Sequence, residues 1–112
     1  MVSRIDQMLA EVRSRIRRYT PAEAAADDDL LPVDIRSADE RERSGVIPGS
    51  KHVPLPVVLW RADQTSEWRD DDLAGRRLCL VCRHGESSSL AAAPLVHLGV
   101  DAGDLIGGYE AW

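Results

Sequence analysis

Cys82 is the side chain in this 112-residue sequence best placed for covalent chemistry. It closes the apolar run Leu78 to Val81. After it come Arg83, His84, Gly85, Glu86 and three serines, Ser87 to Ser89, which lead into the Ala-rich stretch Leu90 to Val96. A strand that feeds a helix through a loop of small residues turns several backbone N–H groups into one concavity, with the partly positive helix end behind them, and such a site favours an anion. A thiol at its rim, beside Arg83, is expected to populate the thiolate, the form that acts as a nucleophile. The neighbouring residues then form the substrate-contacting set: Arg83, His84, Gly85, Glu86, Ser87 and Ser88. Arg83 either lends charge to the substrate or faces solvent and contributes only its N–H. Gly85 permits a backbone conformation that a Cβ would oppose. Ser87, Ser88 and Ser89 can hydrogen-bond a sulfur anion on Cys82, and helix capping accounts for at least one of them. His84 and Glu86 read as exposed side chains that tune substrate choice, with acid/base catalysis the weaker reading.

The second cysteine, Cys79, makes the spacing Cys79-Leu-Val-Cys82, which invites a redox or zinc reading. Three steps along a strand span about 10 Å and point to opposite faces, whereas a disulfide needs Cα atoms roughly 4.4 to 6.8 Å apart. A zinc site would lack its second ligand pair. Cys79 is therefore expected to be a small core residue, and no metal is implied.

The remaining elements must position this loop. Ile5, Met8, Leu9, Val12 and Ile16 recur at helical spacing, which predicts an amphipathic helix from Ser3 to about Arg15 with arginines on its other faces. It is expected to pack on its own domain or on a second copy, giving a homodimer through this helix; docking of another partner is the alternative. Thr20-Pro21-Ala22-Glu23 is a capping box that opens a short helix ended by Asp27-Asp28-Asp29. Leu30 to Asp34 reads as a buried strand, with Pro32 at a strand end or a non-donating position. Ser37 can cap a short helix to about Ser44. Gly45 to Gly49 must turn, Lys51 to Val53 forms a brief strand stopped by Pro54, and Pro56 to Asp63 is helical. Gln64 to Asp72 is left as loop or helix. Arg77 to Val81 is the strand before the loop. A helix from Ser88 or Ser89 to Leu98 follows, with Gly99 as its cap and a kink or delayed start at Pro94. Leu105-Ile106 is the last strand. Strands alternating with helices predict an α/β fold, a small mainly parallel sheet with helices on both faces in three layers, with Cys82 at the carboxyl edge where ligands bind.

Four motifs in order resemble one family. VDIRSADE (Val33–Glu40), GVIPGSKHVP (Gly45–Pro54), the Cys82 loop and LIGGYEAW (Leu105–Trp112) are similar to the strand end, turn, active loop and closing Gly-Gly segment of rhodanese-like domains. The resemblance implies a rhodanese-like domain over residues 19–112, preceded by a helical extension over residues 1–18. It implies sulfur transfer: the Cys82 thiolate takes a sulfane sulfur from thiosulfate or a persulfide, holds it as a persulfide, and yields it to a thiol or cyanide. No cofactor is required. Asp34 and Arg36 match residues read as scaffold. Two departures stand out. Many thiosulfate-using members carry an Arg five positions after the Cys, where this chain has Ser87. The family also usually continues into a closing helix beyond Trp112, so apolar surface is expected that the N-terminal helix or a second subunit covers. The alternatives are a non-enzymatic sulfur-carrier or interaction module and, less favoured, a Cys-dependent phosphatase or arsenate reductase, whose loops place an Arg where Ser88 stands.

Size and charge narrow the partners. One domain with one core is expected at this length, and without Phe that core must come from Leu, Val, Ile, Ala and Trp. A net charge of -5 argues against nucleic acid or an anionic membrane as partner. No run approaches a membrane span, and charges interrupt the first residues too often for a signal-peptide core, so a cytoplasmic location is expected.

Overall fold

The computed structural model describes residues 1–112. It forms, in order, α1 (Arg4–Arg13), β1 (Arg17–Tyr19), α2 (Pro21–Ala26), β2 (Leu30–Asp34), α3 (Ala38–Ser44), β3 (Lys51–His52), α4 (Val58–Ala62), β4 (Arg77–Val81), α5 (Ser87–His97), β5 (Ala102–Leu105) and α6 (Gly108–Ala111). The five strands lie in the order β1-β5-β4-β2-β3, and every neighbouring pair is parallel. Parallel neighbours cannot be joined by a tight turn, so the crossovers carry helices and both faces of the sheet are covered.

Alternation along β4 divides the core. Leu78, Leu80 and Cys82 point to one face, where Val58 of α4 and Ala92 and Leu95 of α5 pack on them. Cys79 and Val81 point to the other, against Tyr19, Ala24 of α2, Ile47 and Leu105, with Tyr109 of α6 at the margin. α1 lies against α5 and buries Leu9. Residues 1–18, expected as a helical extension, thus hold a helix packed on its own domain and the first two residues of an edge strand.

Local signals explain most element ends. Thr20 accepts the Glu23 N–H at 3.1 Å while the Glu23 carboxylate accepts the Thr20 N–H at 3.0 Å, the reciprocal bonds of a capping box. Ser37 caps α3 through the Glu40 N–H at 3.2 Å. Gly99, at φ +84°, ends α5: its N–H reaches Val96 O at 3.0 Å and the Val100 N–H reaches Leu95 O at 2.9 Å, the two bonds of a Schellman motif. Pro32 lies inside β2, and the sheet tolerates it for a geometric reason. The Ile35 N–H donates to Val81 of β4 at 2.9 Å, and N–H groups alternate sides, so the Pro32 nitrogen faces the β3 side. There β3 begins only opposite Val33.

Several expectations need correction. β1 carries no sequence signal, since Arg17-Arg18-Tyr19 does not alternate; pairing with β5 makes it a strand. The last strand is Ala102–Leu105 rather than Leu105-Ile106, and Gly103 and Asp104, poor strand formers, are held there between β1 and β4. α5 starts at Ser87, ahead of the expected Ser88 or Ser89, and runs through Pro94 without a delayed start. A 3₁₀ turn at Leu55–Val57 precedes the short α4, and another covers Asp71–Leu73 within the acidic stretch. No helix is long and apolar enough to cross a membrane.

Candidate active site

β4 delivers Cys82 to the carboxyl edge of the sheet at its centre. The Cys82 sulfur accepts the Gly85 N–H at 3.0 Å and the Ser88 N–H at 3.3 Å, so the loop closes around Sγ as expected. The N–H groups of His84, Glu86 and Ser87 have no acceptor within the protein. This concavity of donors can take a further anionic atom attached to Sγ. Cys82 is only 7% exposed, but it borders a cleft of about 540 Å³ lined by Ile35, Ser37, His52, Leu55, His84 and Ser87 among others.

Two glycines permit the loop. Gly85 takes φ +99°, and a Cβ there would stand 2.9 Å from Gly107 N. Gly108 takes φ +65°, and its Cβ would stand 2.5 Å from Cys82 O. The Gly-Gly pair that opens α6 thus presses on the back of the loop without side chains between them. From it the Tyr109 N–H donates to Cys82 O at 2.8 Å and the Glu110 N–H to Arg83 O at 3.2 Å, so the loop's carbonyls are engaged from behind.

The expected substrate-contacting residues divide. His84, Glu86 and Ser87 line the cleft with Arg83. Arg83, however, is committed: its Nε donates to Glu110 at 3.1 Å, His84 Nδ1 stands 3.0 Å from the same carboxylate, and the Arg83 side chain is 63% exposed. Gly85 and Ser88 are buried and touch the sulfur itself. None of the serines caps α5, whose N-cap is Glu86 with no side-chain bond. Ser88 and Ser89 instead turn inward, both fully buried, and donate to Asp104 Oδ2 at 2.8 and 2.7 Å. With its proton given to Asp104, Ser88 Oγ offers a lone pair to the Cys82 thiol 3.3 Å away.

Asp104 escaped the sequence reading. It is fully buried on β5 beneath the loop and pairs with Arg18, whose Nε donates to Oδ1 at 2.8 Å. A lone aspartate inside a strand is a signal, since burial of a carboxylate demands partners. Cys79 is 1% exposed, and burial, then the charge of Asp104, pushes its thiol up to about 12. Both cysteines are free. Asp34 and Arg36, expected as scaffold, form a buried ion pair, and Arg36 also lines the cleft. Arg36 donates to Asp34 at 3.0 and 2.9 Å and to Gly45 O at 2.8 Å, and its guanidinium lies 3.9 Å from the Tyr109 ring centroid. Burial raises the Asp34 carboxyl, but the bonds from Arg36 and the charge of Arg41 outweigh it and hold the group below its ordinary value. His52 donates from Nε2 to Arg36 O at 2.8 Å and lines the cleft, a placement its sequence context did not reveal. No group of three or more His, Cys, Asp or Glu side chains is placed to hold a metal ion.

This fold and loop coincide with a family model described as the rhodanese-like domain, which matches residues 20–112. The chain belongs to the rhodanese-like family. It is 33% identical over 102 residues to the thiosulfate sulfurtransferase GlpE of Pseudomonas syringae pv. syringae, covering 88% of this chain and 89% of that protein. It is 31% identical over 104 residues to the adenylyltransferase and sulfurtransferase UBA4 of Lodderomyces elongisporus, covering 89% of this chain but 23% of the relative. This rhodanese-like chain therefore spans about a quarter of that larger protein. Among solved structures, the protein of unknown function RPA3614 of Rhodopseudomonas palustris, described as a possible tyrosine phosphatase, superposes with a TM-score of 0.88 at 29% identity, over 100% of this chain and 90% of that one.

Proposed function

We propose that the chain is a sulfurtransferase that carries sulfane sulfur on Cys82. The observation that carries this reading is the pair of amides on Sγ, in a loop whose His84, Glu86 and Ser87 line an open cleft and have N–H groups without an acceptor in the protein. The Cys82 thiolate attacks the outer sulfur of thiosulfate or a persulfide. A new S–S bond forms, the donor's bond to that sulfur breaks, and its electron pair leaves on sulfite or on the donor thiolate. The free amides then stabilise the outer sulfur anion. A thiol or cyanide attacks that sulfur and regenerates the Cys82 thiolate. The similarity to a thiosulfate sulfurtransferase supports the reading.

Phosphate-ester hydrolysis fits the site less well. It needs a guanidinium inside the loop to clamp the phosphoryl oxygens, whereas Ser88 holds that position and donates its proton to Asp104. The deciding experiment is intact-protein mass spectrometry after brief incubation with thiosulfate or a low-molecular-weight persulfide, followed by addition of cyanide or a thiol. Gain of one sulfur atom on Cys82 that the acceptor removes with turnover is the expected result. Gain without turnover assigns a carrier, and no gain from either donor rejects sulfur transfer.

A further inference from the structure

The loop's Arg83 is not the only positive charge near Cys82. Arg83 is spent on Glu110 at the surface. Behind the loop, two other arginines converge: Arg13, the last residue of α1, and Arg18 of β1, both ahead of the family match that starts at residue 20. Arg13 Nη2 donates to Gly85 O at 2.8 Å and Arg13 Nε to Ser89 Oγ at 3.1 Å. Arg18 pairs with Asp104 and stands 3.4 Å from Gly85 O through Nη2. Arg18 is paired with Asp104 while Arg13 meets only neutral acceptors, leaving a net positive charge behind the loop.

Gly85 is where this charge meets the sulfur. Its N–H donates to Cys82 Sγ, while its carbonyl faces the arginines. The Gly85 oxygen belongs to the Gly85–Glu86 peptide, so holding it keeps that oxygen from turning toward the anion and keeps the Glu86 N–H, trans to it, on the side away from the arginines. Arg13 also decides the Ser89 proton. Ser89 Oγ lies 3.0 Å from Gly85 O and 2.7 Å from Asp104 Oδ2, with one proton for two acceptors. Arg13 serves Gly85 O, and the proton is free for Asp104. We infer that Arg13 is a positioning residue of the active site: the helix ahead of the family-matched region locks the Cys82 loop in its anion-holding form and supplies its charge.

The persulfide part of this inference rests on the sulfur-transfer reading; the thiolate part does not. The test therefore has two arms, applied to full-length Arg13→Met and Arg13→Lys. The first arm measures alkylation of Cys82 by iodoacetamide at neutral pH. Loss of one charge-assisted bond acting at one remove should slow it about 3- to 10-fold in Arg13→Met, with Arg13→Lys in between because a single ammonium keeps the charge but not the fork. A helix that merely covers the loop would give the opposite sign, since loosening it exposes the thiol and speeds alkylation. Unchanged or faster alkylation in both variants overturns the inference. The second arm follows the lifetime of the Cys82 persulfide by intact mass, and a shortening by a similar factor is expected. If no donor loads Cys82 yet alkylation slows, sulfur transfer falls and the positioning role stands.

Discussion

Cys79 and Cys82 are three residues apart on one strand end, both buried, and they are chemically unlike. Cys79 points into the apolar face shared with Leu30, Val81 and Leu105 and has no hydrogen-bond donor on its sulfur. Burial there penalises the charged form, and the thiol is pushed up to about 12. Cys82, one pleat beyond the strand and on the opposite face, receives two backbone N–H groups and borders the cleft. Similar burial therefore leaves the two sulfurs in different surroundings. On the proposed reading, the orientation of the amides around the sulfur separates a packing residue from a nucleophile.

The largest effect should come from exchanging the proposed nucleophile. Cys82→Ser is expected to lower sulfur transfer by at least about a thousandfold, because a hydroxyl is a poor nucleophile near neutral pH, while Cys79→Ala keeps most of the activity. Thiocyanate formation from thiosulfate and cyanide measures both, and a Cys79→Ala protein as inactive as Cys82→Ser would replace the contrast with a dithiol mechanism. Next in size is selective labelling. Iodoacetamide at pH 8 should modify Cys82 and spare Cys79 in the folded protein, with Cys79 reacting only after denaturation; peptide mapping reads the outcome, and equal labelling would break the comparison.

If amides rather than side-chain charge hold the sulfur, adding a cation to the loop should change donor preference. Ser87→Arg is expected to raise kcat/KM for dianionic thiosulfate by up to roughly 10- to 100-fold, from a charge-assisted bond of about 1.5 to 3 kcal/mol. A less charged persulfide donor should gain much less, and equal changes for the two would show that Ser87 does not set the preference.

The smallest effects concern stability. Cys79→Ser buries a hydroxyl where no partner exists and should cost about 1 to 3 kcal/mol, more than Cys82→Ser, whose hydroxyl finds the donors already on the sulfur; urea unfolding of both compares them. The raised Cys79 thiol also carries a pH signature. Above the ordinary thiol range the unfolded chain loses this proton while the folded chain keeps it. This contribution to stability is thus complete below that range and is lost as pH rises toward about 12. Unfolding curves at pH 8 and pH 10 should therefore converge in Cys79→Ala relative to the parent, and an identical alkaline loss in both would assign it elsewhere.

What the sequence disclosed was local. The capping box at Thr20, the cap at Ser37, the terminating Gly99 and the strand into Cys82 are each written within a few neighbouring residues, and the alternation of strands with helices placed the loop on a parallel α/β sheet. What it concealed depends on topology. Asp104 lies 86 positions from Arg18, and only the adjacency of β1 and β5 makes them a pair. Arg13 reaches Gly85 across 72 positions, so no spacing rule connects them. Arg83 was legible as a charge, but its commitment to Glu110 was not, since Glu110 arrives only when α6 packs behind the loop.

The sheet's two margins carry a consequence for solubility. β1 offers three residues and β3 only two, the first beginning with Arg17 and Arg18 and the second with Lys51. Where β3 falls short, the neighbouring position of β2 is Pro32, which has no N–H to present. A foreign strand arriving at either side meets a brief, cationic or donor-less template, so the molecule is protected against the edge-to-edge growth that leads parallel sheets into fibrils.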